Sequence, residues 1–355
     1  MNKMNIEKIL STIIYKNIGK SIIELDLVDT LLINEEKSHC SITLAIANQQ
    51  AYEDVKNQLL HSQLNTIFTH LTIEQKTYSR VKNNNYGDTN NPNNKAPYAK
   101  KVIAITSGKG GVGKSTVAVN IAISLAQEGY KVGLLDADVY GPNIPRILGI
   151  QNEKLHWNDN KIAPHENFGI KVISVAFTTP TFDTPLVWRG SVAISALIQF
   201  LEDVDWGELD FLVIDMPPGT GDVQLTMAQE LPIAGAVLVT TPQTLSCDDV
   251  SRAIMMYKQT NIAIAGVVEN MSYFIAPDTQ KRYDIFGSNG AKKLCDTYNL
   301  SLLGQIPLVM DISLDCDKGC PSVVSQNIAL KQIYKKLTLN ILKNLNNEFS
   351  LSKNI

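Results

Sequence analysis

Gly108-Lys109-Gly110-Gly111-Val112-Gly113-Lys114-Ser115-Thr116 follows a short apolar run at 102–106 and opens a stretch of helical spacing at 116–127. Two readings fit its glycines. Gly108, Gly110 and Gly113 satisfy the G-x-G-x-x-G spacing of a dinucleotide-binding turn, and Asp136 ends the next strand, where such a fold places an acid for the ribose. The two residues after Gly113 decide between them. Lys114 and Ser115 complete G-x4-G-K-S, the phosphate-binding loop, in which successive backbone N–H groups and a helix N-terminus surround a phosphate. Lys114 brings positive charge to the β- and γ-phosphates and the Ser115 hydroxyl reaches Mg²⁺; a nicotinamide site has no use for that pair. The expected ligands are a nucleoside triphosphate, held by residues 108–116, and Mg²⁺.

A second stretch supplies the rest of such a site. The apolar run 211–214 ends at Asp215 and continues Met216-Pro217-Pro218-Gly219-Thr220-Gly221-Asp222. An acid at the end of an apolar strand is where a P-loop enzyme holds its Mg²⁺, and the Pro-Pro-Gly turn suits a loop that senses the γ-phosphate. Asp136 and Asp138 leave the strand after the P-loop helix, in Asp136-Ala137-Asp138-Val139-Tyr140-Gly141-Pro142-Asn143. Asp138, further out, is expected to position the attacking water, and Asp136 to support the water shell of the metal. The plainer role for either is to cap a turn.

Outward from these motifs, apolar runs at 131–135, 170–175, 211–214, 236–239 and 264–268 alternate with helical spacing. Runs apolar on both faces imply an α/β fold: a mostly parallel sheet covered by helices on each face. Ile328, Ile333, Leu337, Ile341 and Leu345 predict a closing helix, with 346–355 as a tail. Between 83 and 94, seven of twelve residues are asparagine, so 81–100 is expected to be a linker with little surface to bury. Before it, residues 1–80 predict a small α+β unit: helices at 6–14 and 52–60, and strands at 22–28, 31–33 and 41–46. It carries no catalytic constellation.

Composition narrows the function classes. The chain has 355 residues, 44% hydrophobic and 19% charged, with net charge −3. No broad basic surface is offered to nucleic acid. No apolar run approaches the roughly 18 residues of a membrane span, the first ten residues lack a signal-peptide apolar segment, and the closing helix is not basic enough to seek a membrane. Cytoplasmic residence is expected. Cys40, Cys247, Cys295, Cys316 and Cys320 are scattered, which speaks against a disulfide scaffold. Cys40, Cys247 and Cys295 are read as small buried hydrophobes. All five histidines precede residue 166 and no two have H-E-x-x-H spacing, so a histidine-rich zinc site is not expected.

Residues 101–345 resemble the deviant-Walker-A P-loop ATPases of the MinD and nitrogenase-iron-protein class, and within it the Mrp/ApbC iron–sulfur cluster carriers. The resemblance rests on GKGGVGKST (108–116), DADVYGPNIPRILG (136–149), VIDMPPGTGD (213–222), TTPQ (240–243), ENMSYF (269–274) and DIFGSNGAKKL (284–294). The first 80 residues resemble, more weakly, the MIP18-like domain often fused to these carriers. The resemblance implies a slow Mg²⁺-dependent ATPase that forms a homodimer and passes clusters to apoprotein clients. It also implies that Lys109 reaches across the dimer to the partner's phosphates and that Asn270 lies at the adenine. Family members commonly carry Cys-Pro-x-Cys just after the Asn-Met-Ser-Tyr-Phe segment, and a symmetric pair would hold one [4Fe–4S] cluster. Here Ala276 and Thr279 stand in place of both thiolates, and cluster ligation needs thiolates or close substitutes. Cys316 and Cys320, in Cys-Asp-Lys-Gly-Cys, are the remaining candidate ligands, at a spacing that is not a common cluster signature. Without a cluster, the alternatives are a MinD/ParA-like regulatory ATPase or a nucleotide-binding scaffold.

Overall fold

The computed structural model describes residues 3–16, 20–23, 28–34, 38–44, 49–75, 94–158, 160–179 and 190–351. Most of the expected linker (81–93), residues 24–27, 45–46 and 76–80 of the small unit, and the last four residues of the expected tail lie outside them. The chain divides into two compact units, Met1–Lys82 and Asn83–Ile355.

In the first unit a strand at Val28–Asn34 pairs antiparallel with His39–Leu44, which runs parallel to His70–Gln75. Burial alternates along His39–Leu44, so Cys40, Ile42 and Leu44 point into a core shared with Ile6 and Leu10 of the helix Lys3–Leu10 and with Val55 and Leu59 of the helix Gln49–Leu60. That alternation is the signature of a half-buried strand. The first helix ends at Leu10, four residues before the expected end, because Ile14–Tyr15 leaves to pair with Lys20–Ser21. The strand His70–Gln75 had no counterpart in the sequence reading.

The second unit is built on eight strands: β1 (Ala99–Ser107), β2 (Val132–Asp136), β3 (His165–Asn167), β4 (Ile170–Ser174), β5 (Leu209–Asp215), β6 (Ile233–Thr240), β7 (Ile264–Glu269) and β8 (Leu302–Gln305). Their order is β3-β4-β2-β5-β1-β6-β7-β8, parallel throughout except for the edge strand β3. The helices are α1 (Lys114–Gln127), α2 (Ile144–Ile147), α3 (Gly190–Glu202), α4 (Asp222–Glu230), α5 (Thr244–Gln259), α6 (Gly290–Tyr298), α7 (Met310–Asp317) and α8 (Ile328–Leu351).

Two cores flank this sheet because successive side chains of a strand face opposite ways. Ile103 and Ile105 of β1 join α1 and α8 on one face through Val117, Ile121, Leu337, Ile341 and Leu345. Val102 and Ala104 join α3, α4, α5 and α6 on the other. Every residue of β2, β6 and β7 is buried, which is why these strands read as unbroken apolar runs. The closing helix continues to Leu351, past the expected boundary at 345, so the tail is partly helical. No helix among the described residues is long and apolar enough to cross a membrane.

Candidate nucleotide site

The register of the sheet sets the site. Asp215, the last residue of β5, lies opposite Ile105 of β1 on one side and Asp136 of β2 on the other, and Asp136 in turn lies opposite Ser174. The carboxyl ends of β4, β2 and β5 therefore finish at one level, and β1 runs two residues further, to Ser107, before the loop 108–113. A crevice at the carboxyl ends of an open α/β sheet is where such folds bind ligands.

The loop needs its glycines at two points above all. Gly113 has φ +82°, and a Cβ there would lie 2.2 Å from Asn270 Nδ2. A Cβ at Gly108 would lie 2.2 Å from the backbone carbonyl carbon of Asp249. Asn270, just past β7, donates from Nδ2 to the Val112 carbonyl at 2.9 Å, so it braces the loop from behind. Its amino-side neighbour, Glu269, the last residue of the strand, is itself buried and accepts from Ser272 Oγ (2.5 Å), Gln305 Nε2 (2.7 Å) and the Ala291 amide (2.8 Å). Glu269 begins the quoted stretch ENMSYF (269–274), but the sequence pattern gave it no role.

Lys114 opens α1 and is 6% exposed. Its Nζ lies 2.7 Å from Asp215 Oδ1 and 3.3 Å from Asp138 Oδ2. Burial pulls the pKa of this ammonium down, but Asp215 and Asp138 outweigh it and hold the group above its ordinary range. Asp215 is fully buried. Burial raises its pKa against the opposing pull of Lys114, with a smaller lowering from the Ser115 hydroxyl. Its second oxygen, Oδ2, is buried with no partner. Asp136 is also fully buried, and its pKa is pushed well up by burial and then by the nearby Asp215. Both of its oxygens are engaged: Oδ2 accepts from Ser174 Oγ (2.8 Å) and the Ile144 amide (3.3 Å), and Oδ1 from the Asp138 amide (3.3 Å). Asp136 thus fastens the 137–144 loop. Asp138 does two things: Oδ1 caps the turn at the Tyr140 and Gly141 amides (both 3.2 Å), and Oδ2 faces Lys114.

Three carboxylates thus share one buried ammonium. Such an excess of negative charge away from water calls for protons or a cation. The unpartnered Asp215 Oδ2, in a site whose cavity Ser115 also lines, fits a divalent cation of the hard, oxygen-seeking kind. The loop 216–221 is stitched to β1 by the Met216 amide to the Ile105 carbonyl and the Gly219 amide to the Ser107 carbonyl, both at 2.9 Å. Gln224 at the start of α4 donates to Thr106 Oγ1 and lies 3.5 Å from the Tyr257 hydroxyl.

A cavity of about 380 Å³ lies over this constellation. It is lined by Lys109, Gly110, Gly111, Gly113, Lys114, Ser115 and Thr116 together with Asp138 and Pro218. Arg146, Asn143 and Met271 also line it; they sit inside the quoted motifs, but the sequence reading gave them no role. So do Cys316 and Asp317 of α7. Burial pushes the pKa of the Cys316 thiol up, against a smaller lowering from the Thr116 side chain. Cys320 follows one turn later, its amide donating to the Asp315 carbonyl at 2.9 Å. Cys40, Cys247 and Cys295 are buried within strand or helix.

Ala276 and Thr279 lie on a different feature. Phe274–Ile275 pairs antiparallel with Arg282–Tyr283, and the two residues sit in the connecting turn, where the Ala276 amide donates to the Lys281 carbonyl. Neither side chain carries a thiolate, so this turn does not fit an iron–sulfur cluster.

A family model described as ParA, NUBPL iron-transfer P-loop NTPase, matches residues 98–342. An iron-sulfur cluster carrier protein of Aquifex aeolicus is 49% identical over 232 residues, which are 65% of this chain and 64% of the relative; the match thus spans just under two thirds of that protein. One of Helicobacter pylori is 38% identical over 331 residues, 92% of this chain and 89% of the relative. Among solved structures, a nucleotide-binding protein of Archaeoglobus fulgidus in complex with ADP superposes with a TM-score of 0.56 at 41% identity, covering 62% of this chain and 87% of that one.

Proposed function

Since this chain belongs to the NUBPL iron-transfer family of P-loop NTPases, we propose that it is a cytoplasmic, Mg²⁺-dependent ATPase of slow turnover that assists the assembly or transfer of iron–sulfur clusters to apoproteins. The observation that carries the ATPase reading is the buried Lys114 between Asp215 and Asp138 at the mouth of the glycine loop. The carrier reading is supported by the names that the relatives bear.

The residues divide the work by position. Amides of 110–114 face the phosphates, and their alignment with the N-terminus of α1 favours negative charge. Lys114 leaves its carboxylates for the β/γ-oxygens, where charge grows as the terminal phosphoryl group departs. Ser115 and Asp215 are the ligands for Mg²⁺, which when bound neutralises charge on the β- and γ-oxygens. Asp138 Oδ2, freed from Lys114, accepts a proton or hydrogen bond from the attacking water. Asp136 keeps Asp138 aimed through the loop it fastens. Asn270 holds the loop at Val112 and leaves its Oδ1 for the adenine. Lys109 reaches the phosphates of a second copy in a homodimer. Lys114→Ala is expected to abolish hydrolysis; a variant that hydrolyses ATP at the normal rate overturns the assignment.

The cargo is a cluster, and its ligands are not Ala276 and Thr279. Cys316 and Cys320 are the candidates, four thiolates per dimer, although Cys316 faces the nucleotide cavity. Anaerobic reconstitution with iron and sulfide counted per dimer, on the native chain and on a Cys316→Ser/Cys320→Ser variant, tests this. Iron bound by the native chain and lost in the variant supports the thiols. The alanine and threonine of the 276–279 turn favour a second reading, a regulatory ATPase or scaffold that carries no cluster; absence of bound iron in both proteins, with Mg·ATP binding intact, favours it.

A further inference from the structure

Far along the sheet from the P-loop, at the β3 edge, three ligand-type side chains converge. One ring nitrogen each from His156 and His165 and one carboxylate oxygen from Glu153 lie within 4.8 Å of one another. Their sequence spacing, 153-156-165, matches no helical metal motif, which is why the histidines were unremarkable in the sequence. Strand pairing brings them together instead. Glu153 closes the turn after α2, its amide donating to the Ile150 carbonyl. His156 opens the strand His156–Asn158, which pairs with Lys161–Ala163, and His165 opens β3. Ile162 pins this ribbon: it is buried, its amide donates to the Asp203 carbonyl, and its carbonyl accepts from Asp205.

The chemistry of each group suits a ligand. The His165 ring packs at 4.6 Å on the buried Phe177, and its Nε2 lies 3.0 Å from the Lys154 carbonyl oxygen. A carbonyl only accepts, so in the neutral ring Nε2 carries the proton and the Nδ1 lone pair is left to bind. Metal-bound histidines are oriented in just this way, by a backbone carbonyl on the other nitrogen. The Lys154 ammonium, the nearest competitor in sequence, is turned to the Thr179 carbonyl at 2.6 Å. His156 Nε2 and Glu153 Oε2 stand 3.9 Å apart, too far for a hydrogen bond. Two ligands about 2.0–2.1 Å from one tetrahedral ion stand about 3.3–3.4 Å apart, so the gap would have to close by about half an ångström to take an ion between them. Both of these side chains are exposed and free to close the rest of the distance.

We propose that Glu153, His156 and His165 bind a late first-row divalent cation of the zinc class, with three protein ligands and an open position for water. Two imidazoles and one carboxylate favour such an ion over Mg²⁺, which seeks oxygen. Bound there, the ion fastens the 150–158 segment to the edge strand and blunts that edge against pairing with another chain.

The test uses the tag-free full chain, stripped by chelator and titrated with Co²⁺ in the visible, then with Zn²⁺ as competitor. In the Cys316→Ser/Cys320→Ser variant, which lacks the candidate cluster thiols, one Co²⁺ per chain is expected, with d–d bands, no thiolate charge-transfer band, and displacement by Zn²⁺. The same d–d bands are expected from the native chain. Even an outer-shell partner of a metal is worth about 10–100-fold in affinity, so His156→Ala and His165→Ala should each weaken binding at least about tenfold, with Mg·ATP binding unchanged as the check on folding. Undiminished Co²⁺ affinity in a His156→Ala/His165→Ala double variant overturns the proposal, as does a Co²⁺ signal that vanishes with the two cysteines.

Discussion

At the scale of single residues, the cleft is an electrostatic problem solved by one ammonium. Lys114 holds Asp215 and Asp138 where water does not reach. Removing one partner from a buried ion pair costs about 3–5 kcal/mol, because the other charge is left uncompensated. Lys114→Ala should therefore lower the unfolding free energy of the nucleotide-free protein by that order, as read by denaturant titration; a loss below about 1 kcal/mol contradicts it. Asp136 gives the opposite kind of signal. Burial and Asp215 raise its folded pKa well above the ordinary 3.8. Between those two values the folded state binds more protons than the unfolded one, so this residue's contribution to stability falls as pH rises through the window. Asp136→Asn removes the titrating group. The difference in denaturation midpoint between wild type and Asp136→Asn, followed upward from pH 4, should shift steadily in favour of the variant, and a pH-independent difference contradicts the assignment.

At the scale of elements, the loop is held by the end of a strand two places away. Gly113 and Asn270 are in contact, so their substitutions should not add. Gly113→Ala forces a Cβ into Asn270 Nδ2 with φ at +82°; it should weaken Mg·ATP binding and cost about 1–3 kcal/mol of stability. Asn270→Ala alone loses the bond to Val112, worth about 0.5–1.5 kcal/mol. The double variant should be more stable than the sum of the two losses predicts, since the clash is gone; strict additivity in a double-mutant cycle refutes the contact. This coupling was not legible in the sequence, where Asn270 had a role only by resemblance. The strands were legible, because a parallel strand covered on both faces must be apolar throughout, as 211–214 and 236–239 are. The P-loop and Asp215 were legible because a phosphate cradle permits few residue types. The short strands at 156–167 were not, since exposed ribbons such as His156–Asn158 carry no apolar period. The first two residues of α1 were missed for a related reason: Lys114 and Ser115 are polar because they face the cleft.

At the scale of the whole molecule, the chain enters the sheet of the larger unit at its middle strand, β1, and then builds outward to either side, so the P-loop stands where the winding reverses, a crevice that such sheets use for ligands. Mg·ATP at a hundred times its dissociation constant should stabilise the fold by about 2.7 kcal/mol if it binds only the folded state. The cleft supplies one buried cation, Lys114, while Lys109 lines the same cavity, half-buried, with no ion-pair partner among the described residues. Its backbone is fixed, for the Lys109 carbonyl accepts from Ser107 Oγ at 2.8 Å, so its side chain is presented from a rigid base. A cation delivered in trans to a departing phosphoryl group accelerates transfer by about 10³–10⁵-fold in the best-studied cases. If Lys109 serves a second copy, Lys109→Ala should bind Mg·ATP nearly as well as wild type, fail to dimerise with a non-hydrolysable ATP analogue in sedimentation velocity, and lose at least about 10³-fold in turnover. The three readouts separate the roles. Loss of binding would place Lys109 with its own chain's phosphates. Normal dimerisation and turnover would leave it a surface lysine, and hydrolysis would then belong to a single chain.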